Sequence, residues 1–386
     1  MQTRRSNPVP AATVPRRASL FALGCRLNQT EAALLADQLR AAGLVIMPWG
    51  EPADLLVVNS CTVTAAAAAK TRDAVRAARK RHPDACIVLT GCDATVAAAA
   101  WAADAAAVDH IVPNQEKHDF FAEAAKKITP PHRHTVLPAD RFTIPGTGHF
   151  TGRTRANLKI QEGCNVGCSY CIIPQARGAP KSRDWDDTLR EVRELAARGH
   201  REIVLAGINL ALYDAGGGRR LPELVRASLS AADGFRLRLS SLEPGPELPR
   251  IIELMAPEAG APPPAVPGEK RNSPCAIPSG PRLCRHLHLP LQYADDRILA
   301  AMHRPYTLRE YAEFADAAVR RVPGLCLGTD IIIGFPGETE AIFAACRAAL
   351  AALPLAYFHV FTFSPRPGTP AAALPGRVPI AIRLSG

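Results

Sequence analysis

The sequence predicts an α/β protein in two parts, a parallel-sheet domain followed by a full or partial barrel of strand–helix steps. Three observations predict it. Short apolar runs alternate with helical stretches along most of the chain, the pattern of parallel sheets with helices on their faces. Each of the first three runs leads into a small residue followed by cysteine, and each of six later runs leads into a polar or Gly/Pro-containing word. With 386 residues, 47% of them hydrophobic, the chain is long enough to bury two cores.

The first domain is expected over 18–128, with strands over 19–23, 55–58 and 86–89 and helices over 29–42, 65–81 and 94–107. The strands lead into Leu23-Gly24-Cys25, Asn59-Ser60-Cys61 and Thr90-Gly91-Cys92. In an open parallel sheet the carboxyl ends of the strands share one edge, and ligands bind there. Cys25, Cys61 and Cys92 are therefore expected to converge, although they lie far apart in sequence. The Gly or Ser before each cysteine lets backbone approach a ligand. The helix N-termini that follow favour an anionic group held by thiolates. Small buried residues at strand ends are the plain alternative.

Residues 1–17 carry Arg4, Arg5, Arg16 and Arg17 with three prolines and no acid, and read as a disordered basic arm. Residues 129–149 read as a linker, and the second domain is expected over 150–386. Its strands are expected over 158–160, 203–206, 236–239, 286–289, 329–333 and 356–361. In barrels of this kind, reactive groups sit at the carboxyl ends of the strands. Residues 257–281 hold eight prolines and read as a surface insertion.

The densest chemistry lies in Glu162-Gly163-Cys164-Asn165-Val166-Gly167-Cys168-Ser169-Tyr170-Cys171, a C-x3-C-x2-C run. Iron–sulfur clusters normally take four cysteines. Three on a four-iron cluster leave one iron open to a small molecule. A zinc site short of one ligand, or unliganded cysteines, are the alternatives. The run resembles that of the radical S-adenosylmethionine (SAM) enzymes, whose open iron chelates the amino and carboxylate groups of SAM.

Composition narrows the partners. The chain has eleven cysteines with no recognisable signal peptide ahead of them, and no apolar run reaches membrane-spanning length. The expected setting is a reducing cytoplasm, where clustered cysteines read as metal ligands. A net charge of +10 favours a polyanion such as RNA.

Two three-cysteine sites in this order resemble the methylthiotransferase family. The matching words include Gly24-Cys25-Arg26-Leu27-Asn28, Asn59-Ser60-Cys61-Thr62-Val63-Thr64, Thr90-Gly91-Cys92, Arg177-Gly178, His288-Leu289-Pro290-Leu291-Gln292, Met302-His303-Arg304-Pro305-Tyr306-Thr307 and Ser364-Pro365-Arg366-Pro367-Gly368-Thr369. The resemblance implies a Rossmann-like methylthiotransferase domain followed by a radical SAM partial TIM barrel. It implies two [4Fe–4S] clusters, one on Cys164, Cys168 and Cys171 and one on Cys25, Cys61 and Cys92. It also implies two SAM molecules, a reductant such as flavodoxin, and tRNA as partner; a monomer is expected.

Three branches of the family differ in substrate: threonylcarbamoyladenosine in tRNA, isopentenyladenosine in tRNA, or an aspartate of ribosomal protein S12. Cys61-Thr62-Val63-Thr64, the Arg26-Leu27-Asn28 after Cys25, and Ser240-Ser241-Leu242-Glu243-Pro244 look most like the first. The expected reaction is then methylthiolation of carbon 2 of that nucleoside, at tRNA position 37. For SAM itself the expected contacts are Tyr170, Asn209, Ser241, Glu243 and Gln292. Arg177 and Arg183 are expected to meet SAM or RNA phosphate. The sequence departs from the family at Tyr293-Ala294, where Ser-Gly is usual, and in the Pro-rich insertion. It ends at Gly386, where the family continues into a small RNA-binding barrel known as TRAM. An inactive shortened form is therefore a further expectation to weigh.

Overall fold

The computed structural model describes residues 16–104, 107–126, 141–144, 154–256 and 282–379. The Pro-rich insertion, residues 1–15 of the basic arm and most of the 129–149 segment lie outside the described residues. So does the chain beyond 379.

The first domain runs β1 (Arg17–Ala22), α1 (Arg26–Ala41), β2 (Val45–Met47), β3 (Leu55–Ser60), α2 (Ala65–Arg81), β4 (Cys86–Gly91), α3 (Cys92–Val96), α4 (Ala98–Ala103), β5 (His110–Val112) and α5 (Lys117–Lys126). Its five strands form one parallel sheet in the order β2-β1-β3-β4-β5. Strand order reverses between β1 and β3, and ligands bind outside the carboxyl ends at such a switch point. Cys25 follows β1 and Cys61 follows β3. The sheet is clamped on one face by Leu35, Leu39 and Phe121 and on the other by Val75, Ala78 and Trp101.

Two details differ from the sequence expectation. The helix expected over 94–107 is two short helices, broken at Ala97. A buried bond from the Trp101 indole N–H to Asp93, 2.8 Å, ties the second helix back on the first. This tertiary bond overrides the high helix propensity of the alanines. Cys25 also stands beyond the end of β1, at the N-cap of α1.

The second part begins with β6 (Arg141–Phe142), which lies inside the expected linker. It continues with β7 (Arg155–Lys159), β8 (Gln161–Glu162), α6 (Ile173–Arg177), β9 (Lys181–Arg183), α7 (Trp185–Ala197), β10 (Glu202–Ala206), α8 (Leu221–Ala231), β11 (Arg236–Leu239) and α9 (Leu248–Met255). Then follow β12 (His286–His288), α10 (Asp296–Ala301), α11 (Leu308–Arg321), β13 (Cys326–Ile333), α12 (Glu340–Ala352) and β14 (Tyr357–Thr362). The sheets β11-β10-β7 and β12-β13-β14 are joined by parallel bridges Leu237 to Leu283 and Ser241 to His288. The result is an arc of six parallel strands, β7-β10-β11-β12-β13-β14. The small sheet β6-β9-β8 stands beside it, so β6 belongs to the second part rather than to a free linker.

Alternation builds the arc. In Arg236-Leu237-Arg238-Leu239 and His286-Leu287-His288 the leucines are fully buried in the core shared with the helices. The polar residues of these strands then face the hollow of the arc. The helices start at side-chain caps: Asp184 for α7, Thr307 for α11 with a reciprocal bond to Glu310, and Thr339 for α12.

Between β7 and β14 the arc is open, and the first domain sits across that gap. Helix α1 packs on β7. On the other side, the Arg366 guanidinium donates to the Thr62 hydroxyl at 2.8 Å, and the Ala65 N–H donates to the Ser364 hydroxyl at 3.0 Å.

Candidate cluster sites and the adjoining cavity

The first thiol triad gathers at the switch point. Burial, and beyond it the neighbouring Cys92 and Cys25, push the Cys61 thiol up to about 11. A Cβ on Gly24 would lie 2.5 Å from the Cys61 sulfur, and Gly24 has φ +87. Gly91, with φ +98, would place a Cβ 2.5 Å from the Ser60 carbonyl. Both glycines are thus required by close approach as well as by conformation. The buried Ser60 hydroxyl donates to the Thr90 carbonyl (2.6 Å) and accepts the Asp93 and Ala94 N–H groups at 3.1 Å each, which fixes the Cys92 turn. The Asn114 amide lies 3.5 Å from the Cys92 sulfur.

The second triad lies on the loop between β8 and α6. The Cys171 N–H donates to the Cys168 carbonyl at 3.1 Å, and the Cys164 N–H donates to the Gly178 carbonyl at 3.1 Å. Ser169 anchors the loop to the main barrel, its hydroxyl donating to the Ala301 carbonyl at 2.7 Å. Burial, with Cys168 and Cys164 adding to it, pushes the Cys171 thiol up to about 12. In each triad burial comes first and the neighbouring thiols add to it, at Cys61 in one and at Cys164 and Cys171 in the other. That crowding is relieved when a metal replaces the protons, so both donor sets fit a thiolate-held cluster. Arg304 donates to the Cys168 sulfur at 3.2 Å, and the positive charge of Arg177, disfavoured by burial, is favoured first by Glu31 and then by Cys92.

Gly163 holds the entry to this loop. It has φ +71, and a Cβ there would lie 2.0 Å from the Ala179 carbonyl oxygen. Gly163→Ala is expected to cost about 2–5 kcal/mol, the sum of left-handed strain and overpacking against backbone. Urea unfolding measures it. A midpoint unchanged from the parent would show that the 178–179 backbone can yield.

The five residues expected at SAM all lie in the barrel hollow or on the cluster loop. Tyr170 is largely buried with its ring edge-on to Phe335, centroids 6.5 Å apart. Ser241 lines the cavity described below and bridges to His288. The Glu243 carboxylate accepts from Arg304, yet burial still holds its carboxyl above the ordinary value. Gln292 is buried and has φ +75, a costly conformation for a residue with a Cβ, held by its N–H donating to the Asp330 carbonyl at 2.8 Å. The Asn209 carboxamide oxygen accepts the Ala211 N–H at 3.1 Å, so part of its polar capacity is spent on its own turn.

Arg177 and Arg183 stand elsewhere than expected. Both are fully buried. Arg177 donates to Glu31 (2.9 and 3.0 Å) and to Asn28 (2.6 Å), and Arg183 donates to Asp187 (2.7 Å) and to Glu191. Each guanidinium is paired with carboxylates of this chain. Arg177 belongs to a seam between the two parts, where Glu31 also accepts from Lys117 (2.5 Å) and Lys159 (2.8 Å).

A cavity of about 580 Å³ opens where α1 meets the hollow of the arc. Cys25 and Arg26 form one wall, Arg155 and Arg238 another, and Ser240 and Ser241 a third. Its far side carries Asp330, whose carboxylate lies 3.1 Å from a ring nitrogen of His288 and 3.1 Å from one of His359. The Tyr357 hydroxyl stands 3.0 Å from His286 and 3.2 Å from His288. Gly328 makes room for that tyrosine, since a Cβ there would fall 2.1 Å from the ring. Sequence reasoning gave no role to Arg304 and, Cys25 and Ser241 apart, missed this polar lining. The period-two alternation of His286, His288 and of Arg236, Arg238 was the signal available.

Comparison with known proteins agrees with this arrangement. Residues 17–113 match the uncharacterized protein family UPF0004, and residues 158–261 match the radical SAM superfamily. The threonylcarbamoyladenosine tRNA methylthiotransferase MtaB of Thermotoga maritima is 33% identical over 358 residues, 92% of this chain and 76% of that protein. The chain belongs to the radical SAM methylthiotransferases. Other methylthiotransferase relatives include the tRNA-2-methylthio-N(6)-dimethylallyladenosine synthase of Ralstonia nicotianae, 32% identical over 94% of this chain and 77% of its own length. The ribosomal protein uS12 methylthiotransferase RimO of Desulforudis audaxviator is 34% identical over 95% of this chain and 78% of its own length. The radical SAM methyltransferase TsrM of Kitasatospora setae, solved with cobalamin and a [4Fe–4S] cluster, shares the fold. Its TM-score is 0.62 at 15% identity, over 93% of this chain and 74% of that one. The cofactors of this methylthiotransferase are those of its family, SAM and [4Fe–4S] clusters. Among the described residues no helix is long and apolar enough to cross a membrane.

Proposed function

We propose that this methylthiotransferase acts on tRNA, placing a methylthio group on carbon 2 of N6-threonylcarbamoyladenosine at position 37. The observation that carries the reading is the cavity, which has a cysteine of the switch-point triad on one wall and guanidiniums on another. The net charge of +10 suits a polyanionic substrate, and the MtaB relatives carry this nucleoside in their names.

Cys164, Cys168 and Cys171 would hold the cluster that binds SAM, and Cys25, Cys61 and Cys92 the second cluster. When bound, the first supplies the one-electron reduction that splits SAM into methionine and a hydrogen-abstracting radical, and the second carries or donates sulfur. A cofactor is needed because side-chain acids and bases have little purchase on the C2–H bond of adenine. The protein's own residues bind and orient. Glu243, fixed by Arg304, accepts hydrogen bonds from the SAM amino group or ribose, with Ser241, Asn209 and Gln292 around it. Tyr170 closes the cluster loop against water. An external reductant such as flavodoxin supplies the electron, and a second SAM supplies the methyl group.

Nucleoside mass spectrometry of tRNA from a strain lacking this activity, with and without the chain, tests the reading. Appearance of the methylthio form of threonylcarbamoyladenosine is the expected result. Methylthio isopentenyladenosine, or modified ribosomal protein S12 in the same cells, would assign the chain to another branch. No product from soluble, cluster-loaded protein would sink the tRNA reading.

A further inference from the structure

The basic side chains of the cavity are not balanced by the acids around them. Glu202 is the only carboxylate within ion-pair distance of Arg155 (2.7 Å), Arg236 (2.7 Å) and Arg238 (2.8 Å) among the described residues. Arg236 is exposed and outside the cavity lining, whereas Arg26 adds a third guanidinium to those of Arg155 and Arg238 there. Among the described residues that guanidinium makes no hydrogen bond and no ion pair. Arg155 and Arg238 line the same cavity as this unpaired guanidinium. Asp330 is also in the cavity, but its carboxylate is bracketed by His288 and His359.

Arg26 and Arg238 line the cavity together with Cys25, so the excess of positive charge stands beside the switch-point thiols. A volume of about 580 Å³ admits a nucleobase with a polar substituent. A planar guanidinium takes a carboxylate in two parallel hydrogen bonds, which makes an arginine cluster a reader of carboxylates in particular. A neutral, branched hydrocarbon in the same position would desolvate three guanidiniums and give them nothing in return.

We propose that Arg26, Arg155 and Arg238 form a carboxylate-binding subsite that grips the free carboxylate of the threonylcarbamoyl group, and so selects this nucleoside over neutral N6-substituted adenosines. The subsite rests on the tRNA reading given above and adds the group that is recognised and the residues that recognise it. Arg26 makes the direct contact, because its guanidinium is free. Arg155 and Arg238, shared with Glu202, set the field.

The test uses the full chain reconstituted with iron and sulfide. Three anticodon stem-loop RNAs are compared, carrying threonylcarbamoyladenosine, its methyl ester, or isopentenyladenosine. Binding is read by fluorescence anisotropy and product by mass spectrometry. The parent is expected to bind the acid roughly 10- to 100-fold better than the ester, the range for a hydrogen-bonded charged group. In Arg26→Gln, with iron content equal to the parent's, that ratio collapses toward one. Arg238→Gln, remote in sequence from the thiol triads, reduces it in the same direction. Equal binding of acid and ester by the parent, or a ratio untouched in both variants, overturns the subsite while leaving the tRNA reading intact. No product from either the acid or the ester RNA, with turnover of the isopentenyl RNA or of a ribosomal-protein aspartate, overturns both.

Discussion

Glu31→Gln is expected to destabilise the protein by about 3–5 kcal/mol, the cost of breaking a buried ion pair from one side. Glu31 is fully buried on α1 and accepts from Lys117 on α5, Lys159 on β7 and Arg177 on α6. Two of those three cations belong to the barrel. Glutamine keeps the volume and removes the charge. The three cations are then left with Glu162, which lies 2.5 Å from Lys159 and 3.9 Å from Arg177. The loss falls on the seam between the two parts, so the first domain should detach before the barrel melts. Limited proteolysis after α5, read beside the thermal transition, separates that outcome from uniform loss of stability. A single unshifted transition would refute the role given to Glu31.

The same residue sets a pH dependence. Burial alone would raise the Glu31 carboxyl, but Arg177, Lys117 and Lys159 outweigh it and hold the group well below 4.5. A carboxyl depressed in the folded state adds stability that is complete above its unfolded value and is lost as the pH falls through the folded one. The parent should therefore lose stability as the pH drops below about 4.5. Glu31→Gln should show a flatter curve over that interval.

The thiols were legible in the sequence and the charges were not, for a physical reason. A strand that must end, turn tightly and present a ligand leaves a local mark, as in Leu23-Gly24-Cys25 or Thr90-Gly91-Cys92. The C-x3-C-x2-C run is local as well. Six barrel strands were readable because each is a short apolar run followed by a polar word. The partner of a charged side chain leaves no such mark. Arg177 reads as a free cation next to Gly178, yet its carboxylate comes from 146 residues earlier in the chain. Arg304 also sits inside a matched word, yet nothing local tells that it touches Cys168 and Glu243 from a turn 136 residues beyond that cysteine. Arg26 sits inside a matched word, but what distinguishes it is the absence of a hydrogen-bond or ion-pair partner among the described residues, which only packing reveals. The split of the helix expected over 94–107 has the same origin, since one buried bond from Trp101 to Asp93 decides it.

Cys25→Ala is expected to abolish methylthio product while SAM is still cleaved to methionine and 5′-deoxyadenosine, and Cys164→Ala is expected to abolish both. The two triads are built by separate elements. Cys25 caps α1 at the edge of the N-terminal sheet, whereas Cys164 opens a loop pinned to the barrel through Ser169 and the Gly178 carbonyl. On the proposed ligand set, loss of the Cys25 thiol would leave only the buried Cys61 and Cys92, two ligands where such clusters normally take four. Among the described residues the barrel loop is anchored by hydrogen bonds to the Ala301 and Gly178 carbonyls and by none to that sulfur. Iron in Cys25→Ala should fall to roughly half of the parent's, with four cysteines or fewer per cluster setting the expectation. If SAM cleavage also vanished while half of the iron remained, the two sites would not be separable in function. The cavity wall that Cys25 shares with Arg26 would then have to serve the radical step as well as the sulfur.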